Sequence, residues 1–188
     1  VALELARQRS DLVAALGLLA TNAFTDTPIP FPLSLVTRPF VGPIARRLLF
    51  SAPSLRMMLR QGVGDDAPPP NSASSLGDRA QRHAIATIFA GSLTRLAELY
   101  GPVERQLTEL DIPVHVGWGD HDPFFDIPQG QRTAQAAGTE LRIYDGAGHF
   151  LPHERPAEVA ADILRLTSAG ARRFGTGAST PSASRRLP

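Results

Sequence analysis

Two short stretches of this 188-residue chain carry the residue types that acid–base chemistry needs. The first is Gly-Asp-His-Asp-Pro, Gly119 to Pro123, with a further carboxylate at Asp126. The second is Asp-Gly-Ala-Gly-His-Phe, Asp145 to Phe150. An imidazole can take the proton of an attacking hydroxyl or water, and a carboxylate beside it fixes the ring's tautomer and steadies the imidazolium that forms. His149 lies between turns that Gly146 and Gly148 make tight enough to project the ring. Its partner on the first stretch is one of Asp120, Asp122 and Asp126. For Asp120 the ordinary role is to stabilise its own turn. Asp126 stands where a carboxylate favours a helix start.

Both stretches follow segments that read as buried strands. Ile112 to Trp118 is apolar and β-rich; Glu140 to Tyr144 alternates, as suits a half-exposed edge strand. Leu12 to Thr21 is a nearly unbroken apolar run and reads as a third strand, buried on both faces. Helices are expected at Val1 to Arg9, Pro128 to Ala137 and Pro156 to Thr167. Strands alternating with helices imply a parallel sheet, and working residues in such sheets sit just past the carboxyl ends of strands. Between the first strand and the second the character changes. Prolines cut the segment into short pieces, Pro43–Phe50 and Pro53–Gln61 read as short helices, and Asp65 to Ser75 reads as a loop. A longer helix follows, with Ile85, Ile88, Phe89, Leu93, Leu96 and Tyr100 on one face. Such a strand-free block reads as an inserted helical cap.

Taken together, Trp-Gly-x-x-Asp-Pro after a strand, then Gly-x-Gly-His-Phe and Glu-x-Pro, resembles the acid and histidine turns of the α/β-hydrolase family. The helix and strand at the start of the chain resemble the segment directly after that family's nucleophile elbow. The resemblance implies Asp122 as the acid and His149 as the general base. It implies a fold class of α/β type: the last strands of a mostly parallel hydrolase sheet with an inserted helical cap. The corresponding division is hydrolase core at 1–22, cap at 23–110, core again at 111–168 and a disordered tail at 169–188. Asn22, Phe24, Phe124 and Phe150 are the expected substrate-pocket residues. No Gly-x-Ser-x-Gly or Asp-containing equivalent occurs in the sequence, so the nucleophile is expected upstream of Val1, together with the oxyanion donors. Leu12 to Thr21 would then be an unpaired apolar edge.

Composition narrows the chemistry. The chain has no Cys, which excludes a disulfide framework and a thiolate nucleophile, and no Lys, which excludes a lysine Schiff base. No cofactor and no metal is expected: His115, His121 and Asp122 match no zinc spacing, and His115 reads as a packed strand histidine. Gly62, Gly64 and Ala67 loosely match a dinucleotide fingerprint, but three prolines follow and no strand precedes. His153 and Glu154 read as capping the last helix. Met57, Met58, Phe31, Phe40 and Leu35 read as core of the helical block. A formal net charge of +1 gives no reason to expect nucleic acid or membrane as a partner; a small-molecule substrate is the expected one, and oligomeric state is not legible. No leader pattern is visible, which points to the cytoplasm, although the chain opens on Val1 and not on Met.

The expected activity is hydrolysis of a small, largely apolar ester, lactone or C–C bond by a Ser-His-Asp type triad. The alternative is an epoxide or haloalkane hydrolase with an Asp nucleophile. That alternative would draw on cap tyrosines or a halide-binding Trp, and the sequence offers Tyr100 in the block and Trp118 in a strand. A rival of another class is a hydrolase-like protein that binds without catalysis.

Overall fold

The computed structural model describes residues 2–29, 31–64 and 76–175. Three parallel strands form the sheet: β1 (Leu16–Leu19), β2 (Val114–Gly119) and β3 (Leu141–Tyr144), in the order β1-β2-β3. Leu18 pairs with Val116 and Trp118 with Ile143. Alternation along β2 sorts its two faces. Val116 and Trp118 are buried against Ala134 of α7 (Ile127–Ala136). Gly117 faces the other way, where an added Cβ would lie 2.8 Å from the Tyr144 ring. On that second face lies α9 (Pro156–Gly175), with Val159 packed among Ala20, Tyr144 and Leu151. α1 (Ala2–Gln8) covers the first face through Ala6, buried with Leu16 and Ile112.

β1 is shorter than the expected Leu12–Thr21. Leu12 is 62% exposed in a turn whose amide donates to Arg9 O, and Ala20, at φ 43°, ends the strand. Hydrophobicity marked the segment; the turn and the left-handed residue set its ends. The C-terminal helix, in contrast, is longer than expected. It runs to Gly175, so residues 169–175 are helical and not tail. Gly170, within the stretch expected to be tail, is a contact point: a Cβ there would meet Ala14 O at 2.4 Å. The rest of the expected tail and the expected loop at Asp65–Ser75 lie outside the described residues.

Between β1 and β2 the described residues hold helices and no strand. A 3-10 turn (Leu33–Thr37) leads into α2 (Gly42–Leu49), α3 (Ala52–Gln61), α4 (Arg79–Thr94), α5 (Leu96–Tyr100) and α6 (Val103–Thr108). Pro43 and Pro53 sit in first turns, and Ser51 and Asp78 cap α3 and α4 through their side-chain oxygens. The single long helix expected up to Tyr100 is broken at Arg95, whose φ of −121° leaves the helical region. This insertion has its own core: Val36, Ala45, Phe50, Leu55, Leu76, Ala86 and Ala90, with Phe50 and Phe89 rings 5.4 Å apart. α6 is an exception, since Leu107 packs with Phe24 and Ala136 on the sheet side. Phe31, Phe40 and Met57 are exposed, contrary to the expectation that they are core. The proline-broken helices there are too short to enclose them. Leu35 and Met58 do pack on the helical core.

Candidate active site

Asp122 lies in the turn directly after β2, and His149 in the turn after β3. Neighbouring parallel strands end side by side, so residues distant in sequence meet. Gly119 permits the close approach: a Cβ on it would fall 2.2 Å from both Ala147 O and Gly148 O. His121 N donates to Ala147 O at 2.9 Å and ties the two turns together.

His149 Nδ1 lies 2.9 Å from Asp122 Oδ2. The Asp122 side chain is fully buried, and its other oxygen accepts from Phe124 N at 2.8 Å and Phe125 N at 3.1 Å. A buried carboxylate without donors would be costly; three donors hold this one in place. The imidazole is enclosed by Phe124, Phe125 and Phe150, with ring centroids 5.1, 5.5 and 5.3 Å away. With Nδ1 on the acid, Nε2 is the nitrogen left to exchange a proton.

Asp126 has another task. It caps α7, accepting from Gln129 N at 3.1 Å. Asp120 is exposed. Neither is brought to His149.

Glu154 is placed where its sequence position did not suggest. It is 5% exposed and braces the histidine turn rather than capping α9. One oxygen accepts from Gly148 N at 2.8 Å and Gly64 N at 2.6 Å; the other accepts from Phe150 N at 2.9 Å. His149 N donates to Gly62 O at 2.6 Å. The end of α3 is thereby fastened to the backbone on both sides of His149. A Cβ on Gly148 would sit 2.5 Å from Gly62 O, so the contact requires glycine there.

A cavity of about 620 Å³ opens beside the histidine. His149, Phe124, Phe150 and Asn22 line it, as does Phe125, which sequence reasoning missed. Its opposite wall comes from the helical insertion, including Leu55, Met58, Phe89 and Tyr100. Phe24 is not part of it. That ring is 3% exposed among Ala23, Leu107 and Ala136, with the Arg132 guanidinium 3.7 Å from its centroid. Asn22 Oδ1 accepts from Phe24 N and Thr27 Oγ1, which turns the chain and carries Phe24 away from the cavity.

A second polar group lies under α9. His115 Nε2 is 3.2 Å from the Tyr144 hydroxyl, which donates to Asp162 Oδ2 at 2.7 Å. Burial lowers the His115 pKa. Burial and the adjacent Asp162 push the Tyr144 phenol up. Burial works to raise the Asp162 pKa, but the Tyr144 and Arg165 hydrogen bonds outweigh it and hold the carboxyl below its usual range. His115 is thus a satisfied strand histidine. Among the described residues no cluster of His, Asp and Glu is arranged to hold a metal ion, and no helix is long and apolar enough to cross a membrane.

A family model described as "Alpha/beta hydrolase family" matches residues 1–162. An uncharacterized protein of Mycobacterium tuberculosis is 31% identical over 103 residues, 54% of this chain and 28% of that protein. The solved 2-hydroxy-6-oxo-6-phenylhexa-2,4-dienoate hydrolase of Rhodococcus sp. strain RHA1 superposes with a TM-score of 0.70 at 16% identity, over 89% of this chain and 59% of that one. A thermophilic esterase gives 0.60 at 16% identity, over 90% and 62%. A membrane phospholipase A gives 0.64 at 19%, over 90% and 54%. At these identities the superpositions show the shared fold, and the chain spans between half and two thirds of each solved structure.

Proposed function

The chain belongs to the α/β-hydrolase family, and on that premise we propose that Asp122 and His149 are the acid and base of a hydrolase whose nucleophile comes from sequence outside these residues. The observation that carries the reading is the 2.9 Å contact between His149 Nδ1 and a fully buried, three-donor Asp122, with the imidazole on the wall of an apolar cavity. Asp122 keeps the proton on Nδ1 and leaves Nε2 free to accept. As a hydroxyl nucleophile attacks, Nε2 takes its proton; the imidazolium then returns it to the leaving group, and the same nitrogen deprotonates the water that releases the product. The substrate class that fits is a small, largely apolar ester, lactone or cleavable C–C bond. In this reading the helical insertion is the cap that closes the cavity over the pair.

One observation favours the second reading, an Asp nucleophile acting on an epoxide: Tyr100 lies on the cavity wall, where a phenol could activate the ring oxygen. Haloalkane hydrolysis is less well supported. The Trp118 indole N–H already donates to Phe125 O at 2.8 Å and is fully buried.

His149→Ala separates the readings in the protein extended upstream through the elbow. With a Ser nucleophile, His149 is needed to form the covalent intermediate, so H149A incubated with an aryl ester should show no mass adduct. With an Asp nucleophile, His149 is needed to hydrolyse the intermediate, so H149A should accumulate an adduct with an epoxide. Wild-type turnover of an ester by H149A would remove both.

A further inference from the structure

The helical insertion carries a surface that neither the cavity nor the sheet uses. α2 buries Gly42 and Ala45 and turns Val41, Ile44 and Leu48 outward, 47%, 63% and 62% exposed. Their spacing puts all three on one face. Phe40, at the helix entry, is 94% exposed and has a φ of 63°. A bulky side chain adopts that left-handed backbone only at a cost, so a large ring is held in solvent against its own preference.

Charge is segregated on the same segment. Residues 27–64 contain five arginines, Arg38, Arg46, Arg47, Arg56 and Arg60, and no acidic residue. Arg38, Arg47, Arg56 and Arg60 are exposed, and none of the five makes an ion pair among the described residues. A whole-chain charge of +1 conceals this concentration.

We propose that this face docks on an anionic lipid bilayer, with Phe40, Val41, Ile44 and Leu48 at the acyl boundary and the arginines on lipid phosphates. A helix with one apolar face and flanking basic residues lies in the plane of such an interface, and the guanidinium fork matches phosphate oxygens. The same arginines oppose a second copy of the chain as the occupant, since a two-fold contact would set like charges face to face. The surface departs from the no-membrane expectation of the sequence because that expectation averaged charge over the chain. Its functional meaning rests on the hydrolase reading: α3 carries Met57 and Arg56 outward while its Leu55 and Met58 line the cavity, so docking sets an apolar substrate source against the cavity's lid.

The test is co-sedimentation of the full-length protein with vesicles of phosphatidylcholine alone and of phosphatidylcholine containing about a third phosphatidylglycerol. Binding is expected to the anionic vesicles only and to weaken with added salt. R47Q/R56Q should lower the partition coefficient about 25-fold, roughly fivefold per arginine near the surface. F40S/I44S/L48S should abolish binding while leaving the circular dichroism spectrum unchanged, since all three side chains are exposed. The proposal is overturned if anionic vesicles do not bind, or if the triple variant binds like wild type. It is also overturned if the triple variant converts a lipid-free dimer to monomer. H149A should bind as wild type does, so loss of docking and loss of turnover report on separate statements.

Discussion

At the residue scale the site is a carboxylate and an imidazole whose neighbours leave them little freedom. That Asp122 would be the carboxylate beside His149 was legible because it precedes Pro123 in a turn after a strand, and the competing role of Asp126 was legible from the helix it starts. Glu154 was not legible. Nothing local tells that a carboxylate in Leu-Pro-His-Glu folds back on the preceding turn; the information lies in Gly62 and Gly64, far away in sequence. Glu154→Gln tests its positioning role. The amide keeps one acceptor and turns N–H groups toward backbone donors, so His149 should lose its fixed aim. In the upstream-extended protein kcat is expected to fall about 10- to 100-fold with KM nearly unchanged. Stability should drop by about 1–3 kcal/mol, read in urea melts. A variant that loses stability but keeps kcat would reduce Glu154 to a structural brace.

At the scale of elements, apolar patterning with segment length and flanking residues found the three described strands and most of the described helices, and the ends were where it failed. β1 was overextended because apolar residues at 12–15 read as strand while Leu12 turns outward. α9 was cut short because the Ser-, Gly-, Pro- and Arg-rich composition from residue 169 onward read as a tail, although Gly170 is a point of close approach to Ala14. The network joining β2, β3 and α9 through His115, Tyr144 and Asp162 also escaped, since it depends on which strand faces align. It makes a pH prediction. Burial lowers the folded-state pKa of His115 below its ordinary 6.5, so the unfolded chain takes up that proton first. Its contribution is present above 6.5 and is lost as pH falls. Asp162, lowered from 3.8, acts in the same direction but only in more acid solution. Urea melts at about pH 7 and about pH 5 should show a smaller pH-dependent loss in H115Q than in wild type. Equal losses would mean that His115 is not the responsible group.

For the whole molecule, the family and the α/β architecture were legible from two turns and three apolar runs. What was not legible is how charge and exposed apolar surface gather on the insertion, because composition sums over faces that point in different directions. β1 lies at one edge of the described sheet, paired on one side with β2. An unpaired apolar edge invites association. Residues 1–188 expressed alone should therefore elute as mixed aggregates in size-exclusion chromatography, and a form extended upstream should elute as a single species. A monodisperse short form would show that β1 needs no further partner.

The central claim is that His149 and Asp122, and not the other carboxylates nearby, perform the acid–base chemistry. The most direct measurement is kcat on a short-chain aryl ester in the upstream-extended protein, unaltered and as H149A, D122N and D126N. H149A and D122N are each expected to lose at least about 10³-fold. D126N, which keeps an oxygen to accept from Gln129 N at the helix cap, should leave both kcat and stability close to the unaltered values. If H149A or D122N turned over the ester at the unaltered rate, or if D126N alone abolished it, the assignment would be contradicted.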